Sequence, residues 1–180
     1  ADRLMESDFW SGWGIRTLSS KNMAYNPISY HNGSIWPHDN SIIAKGFRNL
    51  GKIEYVHKII KALYEVSQSQ TQFRLPELFC GFSKEESDHP IDYPVSCSPQ
   101  AWAAGSMFQL LDACINFKPD AFNNRLTIVE PSLPSWLKEL TIKNVRVKDA
   151  SVDLRFRASK SHTACEILTK SGNIKVIIES

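Results

Sequence analysis

The spacing of the apolar residues changes once along this chain, near Pro119, and the change divides the chain into two unlike parts. Up to about Phe117 apolar residues recur every three or four positions, between loops rich in Gly, Pro, Ser and Asn; this spacing is typical of helices. After Pro119 they alternate in short runs, as in half-buried strands. We therefore expect a mainly α region over residues 1–120 and a small antiparallel β region over residues 121–180 that packs on it.

Two helical patterns follow each other closely in the first part. The first begins at Asp39 or Asn40, since either residue is a good N-cap, and it ends at Gly51. One side of this helix presents four apolar residues, Ile42, Ile43, Phe47 and Leu50. The second pattern runs from Ile53 to Val66 with apolar residues three and four apart. The short turn between the two predicts an antiparallel helix hairpin.

A third helix is predicted from Ala101 to Ile115. Ser98 can cap it and Pro99 suits its first turn. Its sequence is nearly apolar all round, which predicts a helix buried on most sides. Pro119 prevents the helix from continuing.

Five short alternating runs follow, and each predicts a strand. They are Arg125–Val129, Leu140–Val147, Val152–Phe156, Thr163–Leu168 and Ile174–Ile178. The tripeptide Ser171-Gly172-Asn173 predicts a turn between the last two strands.

Composition removes several classes of partner. The net charge is only +2, and Lys and Arg are spread along the chain, so no basic stripe predicts nucleic-acid binding. No apolar run approaches the roughly 18 residues of a membrane span.

The four cysteines, at positions 80, 97, 114 and 165, form no CxxC pair. Two disulfides are arithmetically possible, but isolated thiols of a cytoplasmic protein are the favoured interpretation.

Two loop segments carry the residues that suggest chemistry. Arg74 to Phe82 sets a carboxylate, Glu77, on a proline-stiffened turn, with aromatic and polar side chains close by in sequence. The earlier run from Tyr30 to Asn40 adds tryptophan, histidine and aspartate. Sugar-processing sites need this mixture, because a carboxylate activates water, aromatic faces stack on pyranose rings and short polar groups hold hydroxyls.

Four motifs in the same order resemble the glucosidase domain of glycogen debranching enzymes, the amylo-alpha-1,6-glucosidase-like proteins. They are residues 11–18 (SGWGIRTL), 30–40 (YHNGSIWPHDN), 75–81 (LPELFCG) and 97–102 (CSPQAW). The similarity runs from about Phe9 to Phe156. It implies an (α/α)6 six-hairpin barrel that hydrolyses alpha-glucosidic bonds with inversion, using an acid on one loop and a carboxylate base on another.

The resemblance assigns the base to Glu77 and implies a sugar subsite shaped by Trp36, His38, Asp39, Gln100 and Trp102. Other roles stay open for several of these residues. Asp39 could be an N-cap that also reaches substrate, or the acid itself. Each tryptophan could be a core residue instead.

Arg74 is a further substrate-binding candidate beside the Glu77 loop. It could hold Glu77 ionised, bind sugar oxygens or simply be solvated. No metal or organic cofactor is implied, since the spacing of His31 and His38 matches no zinc motif.

A full barrel of twelve helices is longer than this chain, so we expect the C-terminal part of an enzyme. Such a part would lack the general acid, need its N-terminal half and self-associate through exposed apolar faces. Two alternatives remain: a non-catalytic carbohydrate-binding or scaffold fragment, and a trehalase-, glucoamylase- or mannosidase-like relative.

Overall fold

The chain is less helical than its sequence predicts. The computed structural model describes residues 1–159 and 162–179, and the chain divides into two units, residues 1–111 and 112–180. The described residues form three α-helices, two short 3-10 helices and two three-stranded sheets, about 29% helix and, with isolated bridges included, 27% strand. The prediction of a mainly α chain that forms part of an (α/α)6 barrel is therefore wrong. Only three segments keep a helical spacing of apolar residues, and long irregular loops occupy residues 6–36 and 74–100.

Two helices form the regular part of the first unit: α1, Pro37–Asn49, and α2, Ile53–Ser69, which contact each other. The predicted apolar face of α2 is confirmed, since five of its residues are buried: Val56, Ile59, Ile60, Leu63 and Val66. After α1 the chain turns at Gly51, whose φ of 71° lies in the left-handed region that glycine adopts without strain.

The start and the buried face of α1 differ from the prediction. The helix begins at Pro37, and its N-cap is Trp36 without a side-chain cap bond, so neither Asp39 nor Asn40 caps it. A proline in the first turn presets the helical φ, which explains the early start. The buried face consists of Pro37, Asn40, Ser41, Ala44 and Phe47. Two residues of the predicted face, Ile42 and Leu50, are instead exposed, at 58% and 65%.

The third helix, α3, spans Ala101–Ile115 as predicted, but its cap and its burial differ from the prediction. The side-chain oxygen of Gln100, not Ser98, accepts a hydrogen bond from the Ala103 N–H at 2.9 Å. Trp102 and Phe108 are 63% and 75% exposed, so an apolar composition does not bury this helix on most sides.

Single β-bridges hold the long loops of the first unit together. Ile35 and Phe79, both fully buried, exchange two backbone hydrogen bonds of 2.9 and 3.0 Å. Arg16 and Asp92 continue the bridge on either side. A side chain at Gly81 would place its Cβ 1.8 Å from the Gly33 carbonyl oxygen, so the backbones approach each other too closely for any other residue.

In the residues that the structure describes, the second unit contains two sheets where the sequence predicts one. The strands are β1 Phe117–Asp120, β2 Arg125–Val129, β3 Glu139–Val147, β4 Ala150–Ala158, β5 Thr163–Ser171 and β6 Lys175–Glu179. One sheet has the order β1-β2-β6 and the other β3-β4-β5. All pairs are antiparallel except β2 with β6, which is parallel. The five predicted strands are confirmed, and β1 was missed because Pro119 lies in it, at an edge where a missing N–H is tolerated.

Residues from both sheets share one hydrophobic cluster. Along β4 buried and half-buried residues alternate, the period-2 pattern of a strand with one face in a core. The cluster contains Leu126 and Ile128 of β2 together with Val152, Leu154 and Phe156 of β4.

Within the described ranges, no helix combines the length and the apolar character needed to cross a membrane. The four cysteines are free thiols; two are buried, Cys165 is half-buried and Cys97 is exposed.

Candidate functional site

A cleft of about 430 Å³ in the first unit gathers most of the predicted site residues. Its lining consists of Thr17, Tyr30, His31, Trp36, His38, Asp39, Glu77, Gln100 and Trp102. Six of the seven side chains that the sequence predicts for a sugar site lie here, and only Arg74 does not. Their chemical roles stay predictions, but their proximity gives those roles a common location.

The Glu77 carboxylate accepts hydrogen bonds at both of its oxygens. The Tyr30 hydroxyl donates to Oε1 at 2.8 Å, and the Cys97 backbone N–H donates to Oε2 at 3.2 Å. The Glu77 N–H in turn donates to the Cys97 carbonyl at 3.0 Å. These donors, the Tyr30 hydroxyl foremost, lower the pKa of Glu77, and the nearby His38 contributes in the same direction. The carboxylate is therefore held in its ionised form and in one orientation.

Tyr30 is itself fixed by its neighbours. Its ring makes edge-to-face contacts with His31, Trp36 and Tyr93, with ring centres 4.6, 4.8 and 5.7 Å away. The Ser34 hydroxyl donates to the Tyr30 carbonyl at 2.6 Å. The carboxylate of Glu77 raises the pKa of the Tyr30 hydroxyl, which therefore stays a donor.

The two tryptophans of the cleft differ in how much surface they offer. Trp36 is 8% exposed, and its indole N–H donates to the Ser34 hydroxyl at 2.9 Å. Trp102 is 63% exposed and contacts His38 edge to face, with ring centres 4.7 Å apart. A sugar face can therefore stack on Trp102, whereas Trp36 offers almost no exposed surface. Trp13 is also 8% exposed and does not line the cleft.

The first turn of α1 presents His38 and Asp39 to the cleft. His38 Nε2 lies 3.0 Å from Asp39 Oδ1. The Asp39 side chain is 45% exposed, while that of His38 is 16% exposed. A half-exposed carboxylate in this position can accept hydrogen bonds from sugar hydroxyls.

Arg74 lies apart from the Glu77 cleft, although the sequence predicts a substrate-binding role for it. Its exposed side chain lines a neighbouring cavity of about 420 Å³, and Gln100 lines both cavities. Glu77 is therefore held by Tyr30 and Cys97 rather than by this arginine.

Three cleft residues were not singled out for sugar binding: Thr17, Tyr30 and His31. All three lie inside the recognised motifs, so the motifs themselves were the signal. Tyr30 opens its motif, and a phenol next to a tryptophan and a carboxylate is a natural hydrogen-bond donor. Among the residues that the structure describes, no group of three or more His, Cys, Asp or Glu side chains has an arrangement that could hold a metal ion.

Comparison with known families supports a glycosidase function in general. Residues 1–86 match the model of a family described as the mannosylglycerate hydrolase MGH1-like glycoside hydrolase domain. The match supports a glycoside hydrolase of the six-hairpin type with a carbohydrate substrate, and it does not single out amylo-alpha-1,6-glucosidases. It includes Trp36, His38, Asp39 and Glu77 and ends before Gln100 and Trp102. No curated protein matches the chain.

Proposed function

We propose that the cleft binds one glycosyl unit and that Glu77 is the general base of an inverting hydrolysis. One observation carries the proposal: a carboxylate whose pKa lies below its ordinary value stands in a cleft with an exposed tryptophan. At neutral pH such a group is ionised and suits a base rather than an acid. It accepts a proton from the water that attacks the anomeric carbon. A carboxylic acid on the other side of the glycosidic bond protonates the leaving oxygen. In inverting enzymes the two carboxyl groups typically lie about 6.5–9.5 Å apart.

The remaining cleft residues position the sugar in this proposal. Trp102 stacks on one face of the ring, and Asp39 and Gln100 hold hydroxyls. Tyr30 orients Glu77 through its 2.8 Å hydrogen bond. General-base catalysis contributes about 10²- to 10⁴-fold, so loss of the carboxylate should lower turnover by at least that factor.

Two classes of glycoside are candidates for the sugar. The name of the matching family favours a mannosyl unit. The four loop motifs, through their resemblance to debranching enzymes, favour an alpha-linked glucosyl unit. A panel of mannosylglycerate, isomaltose-type oligosaccharides, trehalose and a branched alpha-glucan separates them, because only the true substrate class should release sugar.

The test is hydrolysis of this panel by the wild-type chain and by Glu77→Gln. The amide keeps the size of the side chain and can still accept the Tyr30 hydrogen bond, so sugar binding should persist while turnover is lost. Glu85→Gln is the matched control, since Glu85 is exposed and lies outside the cleft. Undiminished turnover by Glu77→Gln would remove Glu77 from the mechanism. Sugar binding without hydrolysis in the wild type would fit both the expected lack of a general acid and the non-catalytic, carbohydrate-binding alternative.

A further inference from the structure

His38 lines the Glu77 cleft, but its ring nitrogens are turned away from a bound sugar. Nε2 lies 3.0 Å from Asp39 Oδ1, within hydrogen-bond distance, and only 16% of the side chain is exposed. Nδ1 is buried, and it has no hydrogen-bond partner among the residues that the structure describes. A sugar hydroxyl would therefore meet ring carbons of this side chain rather than a free donor or acceptor.

Two tryptophans contact the imidazole ring. The Trp36 ring lies edge to face with it, with ring centres 5.6 Å apart and an interplanar angle of 90°. The Trp102 ring makes a similar contact, at 4.7 Å and 75°. Because Trp36 is 8% exposed and Trp102 is 63% exposed, His38 joins a buried ring to an exposed one. The hydrogen-bonding contact with Asp39 fixes the orientation of the imidazole between them.

Trp102 needs a support of this kind, because burial does not fix its orientation. An aromatic side chain that is mostly in solvent can occupy more than one staggered rotamer, whereas stacking on a sugar requires a single one. The helices α1 and α3 also meet where the Ser41 hydroxyl lies 2.7 Å from the Gln109 side-chain oxygen. That contact links the two helices, while the edge-to-face contact with His38 holds the Trp102 ring itself.

Two other roles for His38 fit these contacts less well. A histidine that binds a sugar hydroxyl needs a ring nitrogen free to donate or accept a hydrogen bond. A histidine that transfers a proton needs a ring nitrogen within hydrogen-bond reach of that proton. The buried Nδ1 and the Nε2 beside Asp39 meet neither requirement. The contacts favour a role that acts through Trp102.

We propose that His38 is a positioning residue, whose ring holds the Trp102 indole in the orientation that offers a flat face to the sugar. The inference rests on the proposed function, since Trp102 is a stacking surface only if a sugar occupies the cleft. It goes beyond that function by assigning part of the affinity for the sugar face to a histidine that does not contact the sugar.

Nuclear magnetic resonance of the full chain without sugar tests the support directly. The indole N–H signal of Trp102 is identified as the one missing in Trp102→Phe, and its order parameter reports picosecond-to-nanosecond motion. His38→Gln removes the ring but keeps an N–H that can donate to Asp39, and it should lower this order parameter. His38→Phe keeps a ring and should restore most of the loss.

The matched control is His31→Gln. His31 also lines the cleft, but its ring contacts Tyr30 and Trp36, so this change should leave the Trp102 order parameter unaltered. Circular dichroism establishes that each variant is folded. If His38→Gln does not fold, the reciprocal change Trp102→Ala at an exposed position replaces it, and it should shift the ring-proton signals of His38.

Calorimetry with methyl alpha-glucoside and methyl alpha-mannoside tests the consequence, in the full chain carrying Glu77→Gln to prevent hydrolysis. His38→Gln should weaken binding by about 3- to 10-fold, as expected for the loss of an aromatic contact. In a chain that already carries Trp102→Ala, the same change should weaken binding by less than about 1.5-fold, because no stacking ring is left to hold.

Two results would overturn the inference. One is an unchanged Trp102 order parameter, or unchanged His38 ring signals, in the variants above. The other is an equal loss of affinity on His38→Gln with and without Trp102, since a histidine that contacts the sugar directly acts independently of the tryptophan. Failure of the proposed function is read separately, as no binding of either glycoside, because the resonance measurement needs no sugar.

Discussion

The side chain of Asn40 ties α1 to the loop that precedes it, and its removal should be costly. Asn40 is fully buried on the first turns of the helix. Its oxygen accepts the Ile15 N–H at 2.7 Å, and its nitrogen donates to the carbonyls of Ile15 and Trp36 at 3.1 and 3.0 Å. The amide thus pairs with both backbone groups of Ile15, as a neighbouring strand would in a sheet. Ile15 is a loop residue that is only 3% exposed. Asn40→Ala deletes all three bonds at once.

The size of the effect follows from those three bonds. A buried hydrogen bond contributes on average about 1 kcal/mol, and a buried group left unpaired costs about 1–3 kcal/mol. We therefore expect Asn40→Ala to lower the free energy of unfolding by about 3 kcal/mol or more. That is a large share of the roughly 5–15 kcal/mol of a typical domain. The free energy of unfolding typically falls by about 1–3 kcal/mol per M of urea, so the urea concentration at the unfolding midpoint should fall by about 1–3 M.

Urea unfolding followed by tryptophan fluorescence measures this change. Four of the five tryptophans lie in the first unit, so the signal reports mainly on it. Asn49→Ala, at the exposed end of the same helix, is the control and should change stability by less than about 0.5 kcal/mol. If Asn40→Ala lowers the free energy of unfolding by less than about 1 kcal/mol, and the dependence of that free energy on urea concentration is unchanged, these hydrogen bonds do not hold the loop.

Three further changes test other parts of the first unit and α3. Tyr30→Phe removes the main cause of the lowered pKa of Glu77, and the pKa of Glu77 should therefore rise. The acidic limb of the pH profile of kcat/KM should then move to higher pH, and an unmoved limb contradicts this. Leu63→Ala, at a fully buried position, should cost about 3 kcal/mol in urea unfolding, whereas Leu50→Ala, 65% exposed, should cost under about 0.5 kcal/mol. A Cβ added at Gly105, in α3, would meet no atom within 4 Å, so Gly105→Ala should raise the free energy of unfolding by about 0.5–1 kcal/mol. A lower melting temperature would refute this.

Local patterns were enough to predict α2 and five of the strands. In α2 every residue at the predicted spacing from Val56 to Val66 is buried, because the helix packs one continuous apolar stripe. Alternation likewise located β4, whose inward residues are buried. The parallel pairing of β2 with β6 could not be predicted, since it joins residues 125–129 to residues 175–179, and no local pattern specifies a partner so distant in sequence.

The buried face of α1 could not be predicted from apolar spacing, because hydrogen bonds select it. Asn40 and Ser41 are both fully buried. The Ser41 hydroxyl lies 2.7 Å from the Gln109 side-chain oxygen and 2.7 Å from the His38 carbonyl. These polar contacts orient the helix so that Ile42 faces outward. A pattern rule that assigns polar residues to the surface fails where their partners are distant in sequence.

For the site too, the sequence motifs predicted candidate residues but not how those residues are held in place. The motifs identified Glu77 and Trp36 as candidates, but the donor that holds Glu77, Tyr30, lies 47 residues away in sequence. The backbone pairing of Ile35 with Phe79 brings the two loops together, one residue before Trp36 and two residues after Glu77. The orientation of the carboxylate therefore depends on a non-local contact that forms only when the first unit folds. A change that weakens this pairing should lower stability and activity together, whereas a change of Glu77 alone should affect activity with little effect on stability.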